Sequence, residues 1–220
     1  FRNDIGKRLF VKILFKPQTE WLPPEEFKDL SNYDEIAIDL ETKDPNLKTM
    51  GSGSVTGRGK IVGIALAVMD WSGYYPIAHE GGGNMDEKKV LNYFRTVLSL
   101  PSRKIFHNAM YDVCFIRAAG LKINGEVVDT MIAGSLVNEN RFRYDLGSMG
   151  RDYLGKGKNE AVLTETAKEW GIDPKSEMYK LPAMYVGEYA EQDAKLTLEL
   201  WQEMKKQILI EEVSSIFELE

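Results

Sequence analysis

The stretch Glu35-Ile-Ala-Ile-Asp-Leu-Glu41 constrains this chain more than any other. Alternate residues of an extended strand share a face, so Ile36, Ile38 and Leu40 lie on one side and Ala37, Asp39 and Glu41 on the other. The first face asks for burial. The second holds two carboxylates among apolar neighbours, where an unpaired charge is costly to desolvate, and metal coordination would resolve that conflict. Taken alone, the motif has another reading: two surface carboxylates on an edge strand.

Two more acidic motifs follow in the chain, Asn108-Ala-Met-Tyr-Asp112 and Tyr189-Ala-Glu-Gln-Asp193. With 34 Asp and Glu present, short acidic spacings arise by chance, so order and flanking residues carry the weight. Asn108 and Asp112 are four apart across a loop-to-helix junction. Asn108 suits an N-cap, which leaves Asp112 unexplained among Tyr111, Val113, Phe115 and Ile116. Tyr189 and Asp193 share one stripe of a long helix with Ala190, Ala194, Leu198 and Trp201 nearby; a part-buried Tyr beside a solvated Asp is the plainer reading of that spacing.

The net charge of −6 argues against a broad grip on duplex phosphates. A small acidic pocket that binds a few nucleotides through divalent ions remains compatible with it. Cys114 is the single cysteine, which excludes an intrachain disulfide and a thiolate metal cage. The apolar stretch Ile61 to Met69 is too short to span a bilayer, and Phe1 to Phe10 lacks a signal-peptide pattern. A soluble, cytoplasmic chain with no membrane partner is expected.

The length of 220 residues suits one domain over 1–220, with 1–30 as an N-terminal extension. Strands are expected at Val11–Phe15, Glu35–Glu41, Ile61–Met69, Gly73–Ala78, Lys104–Phe106 and Glu126–Val128, with Asp70 to Gly73 as a turn. Pro23–Leu30 reads as a turn into a short helix, and Pro45–Lys60, with four glycines, as a mobile loop. Helices are expected over Asp86–Leu98 (capped by Asn84 or Asp86), Met110–Ala119 (ending at Gly120), Asp129–Val137, Asp145–Leu154 (ending at Gly155), Ala161–Trp170 and Pro182 to about Ile210. Asp129 and Asp145 are read as caps. Strands first and helices later give an α/β fold: a mixed sheet with an antiparallel three-strand meander and flanking helices.

Together the three motifs resemble the DEDD family of 3′–5′ exonucleases, tyrosine subtype, and most closely the proofreading domain of family A (DNA polymerase I-like) polymerases, phage-type. Phe106-His-Asn-Ala-Met-Tyr-Asp112, Val128-Asp-Thr-Met131, Asp39-Leu-Glu-Thr-Lys-Asp-Pro45 before a glycine-rich loop, and His79-Glu-Gly-Gly-Gly-Asn84 extend the match, from about Tyr33 to Met204. The resemblance implies an RNase H-like fold and a two-metal hydrolysis with Mg²⁺ or Mn²⁺. It implies that Asp39 bridges the metals, that Glu41 and Asp193 complete the site activating water, and that Asp112 holds the second ion. Tyr189 would orient the water, as a phenol with an ordinary pKa near ~10 makes a poor base.

The resemblance further assigns Thr42, Leu47 and Asn108 to the terminal nucleotide. Phe142 and Tyr144 are candidates for base stacking or for the core. Arg141, Arg143, Arg151, Lys156 and Lys158 form a basic run suited to phosphates or to a solvated face. Neither histidine lies on the Asp193 helix: His107 reads as a structural donor, His79 as a turn residue. The expected partners are the 3′ end of single-stranded DNA and a polymerase domain joined at the C-terminus, toward which 205–220 would run as a helix. An RNA-trimming enzyme of the same superfamily and a non-catalytic nucleic-acid-binding domain are the alternatives.

Overall fold

In the computed structural model, residues 19–219 are described; the strand expected at Val11–Phe15 lies outside them. Among the described residues five strands form one sheet in the order β3-β2-β1-β4-β5. They are β1 (Glu35–Lys43), β2 (Lys60–Val68), β3 (Trp71–Pro76), β4 (Arg103–Phe106) and β5 (Val127–Asp129). β1, β2 and β3 pair antiparallel as the expected meander, while β4 joins β1 and β5 joins β4 in parallel. The sheet is mixed, with β1 at its centre.

The alternation in β1 separates the two sides of the molecule. Ile36, Ile38 and Leu40 join Ile64, Leu66 and Val68 in a core completed by Val90, Phe94, Val97 and Leu98 of α3 (Glu87–Ser99) and by Phe115 and Ile116 of α4 (Ala109–Ala118). On the opposite face Ala37, Ala65 and Ala67 lie in a core with Ala190, Ala194, Leu198 and Trp201 of the long helix α8 (Gly187–Ile210). Small side chains on both surfaces let this helix approach the sheet closely. Asp39 pairs across to Ala65 and Glu41 to Gly63, and the absent Gly63 side chain leaves the space that the buried Tyr74 ring fills beside the two carboxylates. A bulge between Glu41 and Thr42 interrupts the ladder there, a device that re-aims side chains.

Between α4 and α8 lie α5 (Thr130–Val137), α6 (Leu146–Leu154) and α7 (Ala161–Trp170). The capping expectations hold at α3, α5 and α6, where Asp86, Asp129 and Asp145 accept the backbone N–H groups of Lys89, Met131 and Ser148. No helix among the described residues is long and apolar enough to cross a membrane.

Several expectations require correction. Pro23–Leu30 forms no helix. The segment after β1 is no open loop, but contains two helical turns, α1 (Leu47–Met50) and α2 (Gly53–Thr56). A Cβ on Gly53 would lie 2.6 Å from Gly59 Cα, so Gly53 and Gly59 let the backbone pack closely, whereas Gly51 and Gly57 take left-handed φ values of 80° and 70°. The turn after β2 falls at Met69–Asp70, with Trp71 and Ser72 already in β3. The final helix begins at Gly187 after short 3₁₀ turns at Met178–Lys180 and Ala183–Tyr185, and it stops at Ile210. Residues 205–220 are therefore not one helix: Glu212 has a φ of 57°, and α9 (Ser214–Phe217) folds back so that Phe217 stacks on Trp201 at 5.6 Å.

Candidate active site

The acidic side chains arrive from three elements. β1 supplies Asp39 and Glu41, α4 supplies Asp112 and α8 supplies Asp193, with Tyr189 one turn earlier on the same helix. Asp112 and Asp193 are buried, 5% and 3% exposed. The Leu40 N–H donates to Asp112 Oδ1 at 3.0 Å, tying α4 to β1 between the two strand carboxylates. The five residues expected to form the site are thus brought together.

Their electrostatics show the strain of convergence. Burial, and then the charge of Asp193, push the Asp39 carboxyl up to about 7. Burial raises Glu41 and Asp112 well above the ordinary carboxylate range, with Asp39 adding to both. Burial raises Asp193 too, against the opposing pull of Lys158. Burial, then Asp193, lifts the Tyr189 phenol far above its usual value, so it stays a neutral hydroxyl at any physiological pH.

A groove of about 770 Å³ opens onto this cluster. Glu41, Thr42, Tyr111 and Tyr189 line it together with Arg143, Arg151, Lys158 and Lys175. The basic run therefore divides: Arg143, Arg151 and Lys158 reach the groove, while Arg141 pairs with Asp152 and Lys156 with Glu199. Lys175, absent from the sequence reading, reaches the groove from the segment after α7 and lacked any motif to mark it. Phe142 is fully exposed, and Tyr144 packs on the core and donates to the Asn138 carbonyl; neither lines the groove.

Among the three expected nucleotide contacts, only Thr42 lines the groove. Its hydroxyl pairs with that of Tyr111 at 2.8 Å, and Tyr111 in turn donates to Asp44 Oδ2 at 3.2 Å. The Gly53 N–H meets the same oxygen at 2.9 Å, so the glycine-rich segment is fastened to the wall of the site. Leu47 stands 43% exposed on α1. Asn108 does not cap α4 with its side chain: it sits exposed in the left-handed region at φ 65°. The helix start is held instead by Asp129, whose carboxylate accepts the N–H groups of Asn108, Ala109 and Met131 at 2.9, 2.7 and 2.8 Å.

The histidines are structural. His107 Nδ1 meets Thr130 Oγ1 at 2.8 Å, as expected of a structural donor. His79 is more than a turn residue: it is buried and bridges the Tyr74 hydroxyl at 2.7 Å and the Leu181 carbonyl at 3.0 Å.

No three His, Cys, Asp or Glu side chains among the described residues close around a single point as metal ligands. Lys158 engages one Asp193 oxygen, and the Leu40 N–H engages one of Asp112. The donor set nonetheless fits a hard divalent cation. It offers four carboxylates, and the second Asp193 oxygen, Oδ1, is buried with no hydrogen-bond partner.

Residues 16–209 match the family model described as 3′–5′ exonuclease. The chain belongs to the 3′–5′ exonuclease family of DNA polymerase I-like polymerases. It is 34% identical over 212 residues to a DNA-directed DNA polymerase of Pseudomonas phage M6, covering 92% of this chain and 32% of that protein. It is 24% identical over 160 residues to DNA polymerase I of Chloroflexus aurantiacus, covering 67% and 15%. The exonuclease chain thus spans about a third or less of these relatives. Among solved structures, Brucella melitensis NrnC superposes with a TM-score of 0.62 at 18% identity, covering 87% of this chain and 81% of that one. Escherichia coli RNase D gives 0.54 at 17%, covering 83% and 41%. The expected RNase H-like fold is present.

Proposed function

We propose that this exonuclease domain removes mispaired nucleotides from the 3′ end of single-stranded DNA, in the cytoplasm, for a polymerase domain joined to it in the same polypeptide. The observation that carries the reading is the buried, electrostatically linked cluster of Asp39, Glu41, Asp112, Asp193 and Tyr189, which meets through Glu41 and Tyr189 a groove also lined by Arg143, Arg151 and Lys175. Two of the relatives it resembles are DNA polymerases, which supports DNA as the substrate.

The residues divide the work. Asp39, Glu41, Asp112 and Asp193 would hold two divalent ions, Mg²⁺ or Mn²⁺, which supply a nucleophilic hydroxide and stabilise the leaving oxygen. Tyr189, held protonated, donates from its hydroxyl and orients rather than deprotonates. Arg143, Arg151 and Lys175 hold backbone phosphates at the groove rim. Thr42, fixed by Tyr111, contacts the terminal nucleotide in the groove, while Leu47, on the fastened segment, and Asn108 would meet it only where it extends beyond the groove's lining.

The test uses 5′-labelled DNA and RNA single strands with Mg²⁺ or Mn²⁺, beside Asp193→Ala. Stepwise shortening of DNA from the 3′ end, lost with EDTA and reduced by at least ~100-fold in the variant, is expected. No shortening with either metal sinks the enzymatic reading. Faster trimming of RNA favours an exoribonuclease, a reading that the fold-level likeness to RNase D, named an exoribonuclease, keeps in play.

A further inference from the structure

One cation already stands against the carboxylate cluster, at Asp193. Lys158 Nζ donates to Asp193 Oδ2, lies 3.4 Å from the Tyr189 hydroxyl and sits 5.3 Å from the centre of the Tyr189 ring. Its side chain is 20% exposed, far less than a surface lysine. Burial alone would lower its pKa, but Asp193 first, then Asp39 and Glu41, hold it above the ordinary lysine value.

The chain that delivers this ammonium is strapped to the helix it serves. Between Gly155 and Glu160 no helix or strand forms, yet the Asn159 N–H donates to Gln192 Oε1 at 3.1 Å and Lys156 Nζ pairs with Glu199 Oε2 at 2.7 Å. The Lys156 N–H also meets the Gly150 carbonyl at 3.1 Å. Both flanks of Lys158 are fastened to α8, one to the residue before Asp193 and one less than two turns beyond it. The lysine is placed by its backbone.

A divalent ion on Asp193, even on the unpartnered Oδ1, would stand beside the Lys158 ammonium on Oδ2, and two cations on one buried carboxylate repel strongly. We infer that Lys158 is an exchangeable counter-ion of Asp193, competing with the divalent metal for that carboxylate and withdrawing with its strap when metal binds. The inference rests on Asp193 being a metal ligand. It gives the carboxylate cluster a way to fold without metal, and it sets metal affinity by the cost of dislodging a lysine.

The experiment measures Mn²⁺ binding without DNA, from the electron paramagnetic resonance signal of free Mn²⁺. Wild type is compared with Lys158→Met, Lys158→Arg and Asp193→Asn. Lys158→Met should bind Mn²⁺ at least about fivefold more tightly, the lower end of ordinary coupling between two sites, and Lys158→Arg should stay near wild type. Hydrogen exchange on the wild type should show the hydrogen-bonded amides of the strap, Lys156 and Asn159, losing protection when Mn²⁺ is added. That second readout separates exchange from a charge acting at a distance, which would tighten binding without moving the strap.

Unchanged or weaker affinity in Lys158→Met, or a strap indifferent to Mn²⁺, overturns the inference. If Lys158→Met does not fold, Lys158→Gln takes its place with the same expectation. Asp193→Asn distinguishes the two levels of failure. If it abolishes Mn²⁺ binding while Lys158→Met changes nothing, only the counter-ion role falls. If Asp193→Asn leaves affinity intact, the ligand assignment falls, and the counter-ion role falls with it.

Discussion

Single residues in this domain carry conflicts that the sequence alone cannot display. Lys104 is fully buried and forms no ion pair among the described residues; its ammonium donates to the carbonyls of Leu100, Ser102 and Asn124 at 2.6, 2.7 and 2.9 Å. Three donors meet three acceptors, closing the loops around β4. Replacing it with Met strands those carbonyls, so Lys104→Met should lose about 1–3 kcal/mol, read from urea unfolding. The site carboxylates set a different expectation. Asp39 is raised to about 7, so the folded chain holds its proton more tightly than the unfolded one, whose value lies near the ordinary ~3.9. Its contribution is therefore most favourable below about pH 4 and is lost as pH rises through 7. In EDTA the melting temperature should be at least about 3 °C higher at pH 5 than at pH 8, the span that roughly 1 kcal/mol produces in a domain of this size. Saturating Mn²⁺ should narrow the difference, and a flat pH dependence would contradict it.

At the scale of elements, Asp129 shows how a cap becomes a positioning device. One carboxylate starts α5 and also holds the first N–H groups of α4, the helix that carries Asp112. Asp129→Ala should cost about 0.5–2 kcal/mol as a lost cap, and it should slow nuclease turnover more than it weakens DNA binding, a split measurable from kcat and KM. The reach of the sequence reading follows the same logic. Strand alternation and Asp caps are local rules, and they placed β1, α3, α5 and α6 well. Pro23–Leu30 failed because a proline near a helix start permits a helix without driving one. The 45–60 segment was misread because a glycine that permits close packing looks the same in sequence as one that permits an open loop; the contacts of Gly53 with Asp44 and Gly59 show which it is only once the segment is folded. Asn108 carried the right residue type for a cap but took the left-handed conformation that Asn tolerates. Lys158 was visible as a charge, but its burial against Asp193 depends on a strap and a helix more than thirty residues apart.

The whole molecule is acidic, with a net charge of −6, yet one groove gathers Arg143, Arg151 and Lys175. A footprint of about three cations predicts a shallow salt dependence for single-stranded DNA, with a log-log slope of roughly −2. A slope several times steeper would mean that phosphates are held well beyond this groove. Long-range order also governs assembly of the site. The helix bearing Tyr189 and Asp193 comes late in the chain and packs on β1, β2, β3 and β4. Such non-local contacts form only after the earlier strands exist. During synthesis on the ribosome, the strand carboxylates therefore emerge long before their partners, and if Asp193 acts as proposed, the growing polypeptide should be harmless to nucleic acid until that residue has cleared the exit tunnel and its helix has docked.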